Sequence, residues 1–276
     1  MPYKFQPGMM YRMPTHFGPA LGLRQSETGP SHAPDSRNIT YWSVSFLTNR
    51  EQLDQLLPEG FEVGAEPVVT VEAAYMTNID WLAGRGYNTL GVSFPAVFNG
   101  EKDHVSGNFL TVKWESLCDP IITGREEIGF SKIYGELPPP KTYKGVTNCT
   151  ASWLGFKFVD LTIKNLKQLS PEEVAELKSK RKSDGILHYK YIVKTGEWGE
   201  AEVAYATLTP PLKYVETREV WRGEGTVQFH KATWQDLPTQ VRIVNGLQAL
   251  EIKEYRGAMM VKTVGGDDLR SQRILR

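Results

Sequence analysis

The chain is poor in cysteine and histidine and carries no excess charge of either sign. Cys118 and Cys149 are its only cysteines, too few for a disulfide framework. The histidines, His16, His32, His104, His188 and His230, are scattered, and none is paired at a metal-ligand spacing. No bound metal is expected. Lys+Arg and Asp+Glu each number 32, for a formal net charge of zero, so neither nucleic acid nor an anionic membrane is an expected partner. The one dense basic cluster, "KSKRKSD" (178–184), falls at the end of a helical pattern, where the helix dipole favours cations. No stretch approaches the roughly 20 apolar residues of a membrane span. The N-terminus lacks the apolar core of a signal peptide, and a cytoplasmic location is expected. A GxGxxG after a strand, a Walker loop and a GxSxG elbow are all missing. No cofactor is expected.

What is present is a long series of short apolar runs. Residues 1–35 are rich in Pro, Gly and Met without a period and read as an irregular arm. A single domain is expected over 36–276. "ITYWSVSFL" (39–47), "PVVTVEAAYM" (67–76), "LGVSFPAVFNG" (90–100), "NFLTVKWES" (108–116) and "REEIGFSKIYG" (125–135) read as strands. So do "NCTASWLGFKFVDLTIKNL" (148–166), "LHYKYIVKT" (187–195), "AEVAYATLT" (201–209), "YVETREVWRGEGTVQF" (214–229) and "RIVNGLQALEIKEYRG" (242–257). Two helices interrupt them. "TNREQLDQLLP" (48–58) has Thr48 as its expected cap, and "SPEEVAELKSKRK" (170–182) has a Ser cap, Pro at the first helical position and Glu at the third. Many strands and few helices predict a mainly β, α+β domain whose antiparallel sheet closes or folds on itself.

With serine-hydrolase, nucleotide and metal signatures missing, lysine remains as a nucleophile. Its amine is protonated and inert in water at neutral pH. Apolar burial or a nearby cation disfavours the charged form and frees the lone pair. "GREEIGFSKIYG" (124–135) sets Lys132 among Ile128, Phe130, Ile133 and Tyr134. Taken alone, this pattern equally describes a strand whose lysine meets water. Alternation in "VVTVEAAYM" puts Glu72 opposite the face of Val69, Val71, Ala73 and Tyr75. That face either lines a cavity or is solvated.

The order of the motifs resembles that of the acetoacetate decarboxylase family. "GREEIGFSKIYG" is similar to its glycine-arginine-glutamate segment. Residues 48–76 resemble its short helix, Pro-Glu turn and glutamate-bearing strand, and "GVSFPAVFNG" (91–100) its proline-containing strand. "EVWRGEGTVQF" (219–229) and "LP" (237–238) resemble its C-terminal half. The resemblance implies a barrel-like antiparallel sheet, a Schiff-base lysine at Lys132, an active-site glutamate at Glu72 and a homo-oligomer. It places Arg125 and Glu126 either in the site or as the anchor of a turn. The family's decarboxylases carry a second lysine where this chain has Ile133, a proline where it has Ser131, and a further acid near its Asn88 or Thr89. Ile133 would add apolar bulk beside the amine. Tyr255, Glu251 or Glu254 would supply a further acid, or simply face solvent. The expected activity is a Schiff-base lyase acting on a small keto acid or related carbonyl compound. Aldol, retro-aldol or aldol-dehydration chemistry is preferred to decarboxylation. The alternatives are a β-keto acid decarboxylase and a non-catalytic small-molecule binding protein.

Overall fold

The computed structural model describes residues 4–9, 11–17, 36–180, 183–267 and 271–276. Most of the N-terminal arm and the middle of the basic cluster therefore lie outside the described residues. Among the described residues fourteen strands form one mixed sheet. They are β1 (Asn38–Leu47), β2 (Phe61–Val63), β3 (Val68–Thr77), β4 (Asn88–Asn99), β5 (His104–Glu115), β6 (Lys132–Tyr134) and β7 (Lys141–Tyr143). Then come β8 (Val146–Trp153), β9 (Phe156–Gln168), β10 (Ile186–Val193), β11 (Ala201–Thr209), β12 (Val215–Phe229), β13 (Glu254–Gly265) and β14 (Arg273–Ile274). The order is β14-β11-β10-β5-β4-β3-β1-β13-β12-β9-β8-β7, with β2 on β4 and β6 on β5. The sheet folds on itself as expected, but its two edges do not pair. All named pairings are antiparallel except β5 with β10 and β5 with β6.

The alternation that marked these runs as strands also sorts them by face. Val44 and Phe46 of β1, Val69 and Val71 of β3, Val112 and Trp114 of β5, and Val159 and Leu161 of β9 fill one buried cluster. The Trp114 and Phe158 rings meet with centroids 4.9 Å apart, so β5 and β9, distant along the sheet, pack against each other through the core. The run 148–166 divides at Leu154-Gly155. Both take positive φ, 46° and 88°, as a two-residue hairpin turn requires.

The helices show where local pattern misled. α1 (Arg50–Asp54) is capped by Asn49, whose side chain accepts from the Glu51 amide, not by Thr48, which is buried. α2 (Cys118–Thr123) follows β5. α3 (Pro171–Lys180) carries the expected reciprocal cap. The Glu173 amide donates to Ser170 Oγ at 3.3 Å, and the Ser170 amide donates to Glu173 Oε2 at 2.7 Å. α4 (Val241–Gln248) occupies sequence read as strand. Val241, Val244 and Leu247 recur at helical spacing, and burial of Val244 and Leu247 decides the outcome.

Gln240, at the start of α4, fastens this helix to the sheet. Its Oε1 accepts from the fully buried Trp114 indole at 2.7 Å, and its Nε2 donates to the Tyr134 carbonyl at 3.0 Å. Gln240→Leu leaves both groups unpaired in the interior. A loss of about 1–3 kcal/mol is expected in urea unfolding; an unchanged midpoint would refute this role.

Candidate functional site

Residues 124–135 are not one strand. Gly124–Ile128 continues α2 as a π-helical turn, Gly129 reverses the chain at φ 81°, and only Lys132–Tyr134 is extended. The carbonyls of the turn are bound from outside. Lys190 Nζ donates to Glu126 O at 2.6 Å and to Glu127 O at 3.3 Å. Thr207 Oγ1 and Gln272 Nε2 donate to Ile128 O. These bonds satisfy acceptors that the end of a helix leaves open.

Lys132 opens β6 and is 7% exposed. Its Nζ lies 3.0 Å from Glu115 Oε1, donates to Pro120 O at 3.1 Å and stands 5.0 Å from the Phe130 ring centroid. Glu115 is 1% exposed, and its Oε2 has no hydrogen-bond partner among the described residues. Leu110, Ile128 and Phe130 form an apolar cluster on this side of the sheet. Gly124 makes room for the amine. A Cβ there would lie 2.6 Å from Lys132 Cε and 2.7 Å from Nζ.

Strand register assembles the rest. Glu72, Gly91, Lys113 and Lys132 lie directly across from one another on β3, β4, β5 and β6. Thr89 lies across from Glu115 and is buried. These residues share one face, and Trp114 and Ile133 share the other. Glu72 is half-buried on the side of Lys132. Three strand spacings separate the two, about 14 Å along the sheet. The carboxylate in contact with the amine is Glu115. Neither Glu115 nor Lys113 stood out in the sequence. Their signal was the alternation Lys113, Trp114, Glu115, which is indistinguishable from a solvated strand face.

Other expected positions fall elsewhere. Ile133 packs against the main core beside Trp114 and adds no bulk next to the amine, because successive strand residues face opposite ways. Phe130 occupies that role. Arg125 and Glu126 are exposed. Arg125 Nη1 donates to the Lys132 carbonyl at 2.9 Å, and Glu126 offers its own carbonyl to Lys190, so both act on the turn. A cleft of about 250 Å³ lined by Arg125, Phe130, Ser131, Ile133, Tyr189 and Lys190, among others, runs beside β6 but does not include Lys132. Tyr255 lies across from Phe46 on the core face, and its hydroxyl bonds the Val227 backbone. Glu251 and Glu254 are exposed. The structure does not bring these three to the amine.

His188 closes the apolar wall. Its ring stacks on Phe130 with centroids 4.0 Å apart, and Nε2 lies 3.0 Å from Thr209 Oγ1. Burial, then the Lys113 and Lys132 charges, lower its pKa from 6.5 to about 3. The imidazole is neutral at neutral pH.

Two outcomes follow from this geometry. A folded pKa below the unfolded one makes His188 stabilising above about pH 6.5. That contribution is lost as pH falls toward 3. Stability measured by urea from pH 7 to pH 4 is expected to fall less steeply in His188→Gln; equal slopes would exclude this origin. Gly124→Ala should displace the Lys132 amine while the protein still folds. The expected readout is a severalfold change in the rate at which an amine-directed reagent labels Lys132, with an unchanged far-UV spectrum.

The acetoacetate decarboxylase (ADC) family model matches residues 12–266. A curated acetoacetate decarboxylase from Clostridium botulinum (strain Eklund 17B / Type B) is 28% identical over 98 residues, 36% of this chain and 37% of the relative. The match thus spans little more than a third of that relative's length. Among solved structures, acetoacetate decarboxylase from Legionella pneumophila subsp. pneumophila str. Philadelphia 1 superposes with a TM-score of 0.69 at 20% identity, covering 89% of this chain and 88% of that one. The enduracididine biosynthesis enzyme MppR complexed with pyruvate does so with a TM-score of 0.64 at 17% identity, covering 91% and 95%. The two solved structures share the fold, and the family model extends over nearly the whole sequence: this chain belongs to the acetoacetate decarboxylase family.

Proposed function

We propose that the protein is a Schiff-base-forming lyase acting on a small keto acid or related carbonyl compound, with Lys132 as nucleophile. The buried pair of Lys132 and Glu115, 3.0 Å apart, carries this reading. An ammonium that must lose a proton has beside it a carboxylate able to take it. Burial of both groups keeps water from competing for either. The pyruvate complex of the relative MppR adds a carbonyl ligand on the same fold.

The reaction follows from this placement. Glu115 accepts a proton from the Lys132 ammonium, and the free amine attacks the carbonyl carbon. The protonated carboxyl returns its proton to the carbinolamine hydroxyl as water departs. A positively charged imine is left beside a carboxylate anion. The imine then accepts the electron pair of a carbon–carbon or carbon–hydrogen bond broken at the neighbouring carbon. Protonation of the enamine and hydrolysis restore the lysine. This sequence fits aldol, retro-aldol and aldol-dehydration chemistry.

One observation favours decarboxylation as a second reading. Position 133 is isoleucine, yet β5 supplies a cation, Lys113, and a carboxylate, Glu115, on the face of the amine.

Borohydride reduction in the presence of pyruvate is expected to fix a covalent adduct on Lys132, read by peptide mass, and Lys132→Met should abolish it. Glu115→Gln should slow trapping by on the order of a hundredfold or more, the usual contribution of a positioned proton-transfer group. No adduct with pyruvate or acetoacetate would sink the reading. Release of carbon dioxide from acetoacetate, dependent on Lys132, would select decarboxylation over aldol chemistry.

A further inference from the structure

Lys113 is a second cation on the face of the nucleophile, and the Schiff-base route gives it no part. It lies directly across from Lys132 in the parallel β5–β6 pair and directly across from Gly91 in the antiparallel β4–β5 pair. Its stem rests over the glycine, with Cε 3.6 Å from where a Gly91 Cβ would be. Gly91 thus leaves the floor open between Glu72 and Lys113. Among the described residues no carboxylate comes within ion-pair distance of Lys113: Glu115 is committed to Lys132, and no ion pair joins Glu72 to Lys113. The side chain is partly buried. Lys113 and Lys132 both act electrostatically on the buried imidazole of His188. That imidazole is neutral and supplies no counter-charge.

Lys113 and Lys132 lie on adjacent rungs of one face, and of the two only Lys132 has a carboxylate within ion-pair distance among the described residues. A protein rarely leaves a cation so placed without an anion to meet it. An anionic substrate supplies that anion. We propose that Lys113 is the carboxylate anchor of the site, which makes the protein selective for carbonyl compounds bearing a carboxylate on the carbonyl carbon or one carbon away. Neighbouring strands lie about 4.8 Å apart and directly paired side chains leave the sheet on the same face, so a short keto acid spans the two stems. An ammonium on a flexible stem suits a carboxylate as a point charge, and because Lys113 forms no bond to the reacting carbon, its role is specificity.

This inference rests on Lys132 as the nucleophile, and the test separates the two. Borohydride trapping is run with pyruvate and with methyl pyruvate, which offers the same keto carbon without the charge. The unmodified protein should trap pyruvate in preference to the ester. In Lys113→Gln, pyruvate trapping should fall by on the order of tenfold to a hundredfold while the ester adduct persists. Lys113→Arg should restore much of the preference. An equal fall for both probes, or no change, would overturn the anchor, because a cation acting only on the amine would affect the two alike. Lactate, which has the carboxylate but cannot form an imine, supplies the independent arm. Its binding, measured by calorimetry, should survive Lys132→Met and weaken in Lys113→Gln. If neither carbonyl is trapped while lactate still depends on Lys113, the Schiff-base reading fails and the anchor stands. If adducts form at Lys132 and lactate binding ignores Lys113, the anchor alone fails.

Discussion

A lysine ammonium and a glutamate carboxylate, both almost wholly buried and 3.0 Å apart, govern the arrangement around them. Removing two charges from water costs several kcal/mol per ion unless further polar contacts compensate. The compensation here is partial. Lys132 donates to the Pro120 carbonyl among its contacts, while Glu115 Oε2 has no hydrogen-bond partner among the described residues. The surrounding chain is shaped to hold the pair. α2 presents Pro120, Gly124 yields the space for the amine, and the turn that follows is fastened by Lys190, Thr207 and Gln272. A pair incompletely satisfied in this way is held at a cost in stability.

The resemblance to decarboxylases directed attention to position 133, where a lysine gives way to isoleucine. In the folded chain the more consequential positions are 113 and 115. They alternate along β5 with the core residues Val112 and Trp114. One lies across from Lys132 and the other across from Thr89. Charges lacking at two places in the sequence are present at two others, brought alongside by strand pairing. Sequence order alone is therefore a poor guide to which electrostatic parts of such a site have been lost.

Much of the strand pattern was legible, as was the cap of α3, because period-two burial and capping chemistry are local. α4 was not, since a helix of two turns and a short strand share much of their apolar content, and only the packing of Val244 and Leu247 distinguishes them. The flanking motif singled out Lys132, whose amine the fold buries against Glu115. Glu115 was not singled out, because a carboxylate on a strand face has the same local signature whether it meets water or an amine. Ile133 and Tyr255 lie off the amine's side of the sheet, and neither nearness in sequence nor a suitable functional group tells which side of a sheet a residue occupies.

Arg125 holds the carbonyl of Lys132, and Glu115 and Pro120 hold its amine. The residue is thus tethered at both ends. As the proposed nucleophile, a lysine so fixed is an anvil rather than a swinging arm, to which the carbonyl would have to be delivered. Tolerance for substrate size is then set by the walls around a stationary point, and changes of substrate in this lineage would come from those walls while the lysine keeps its place.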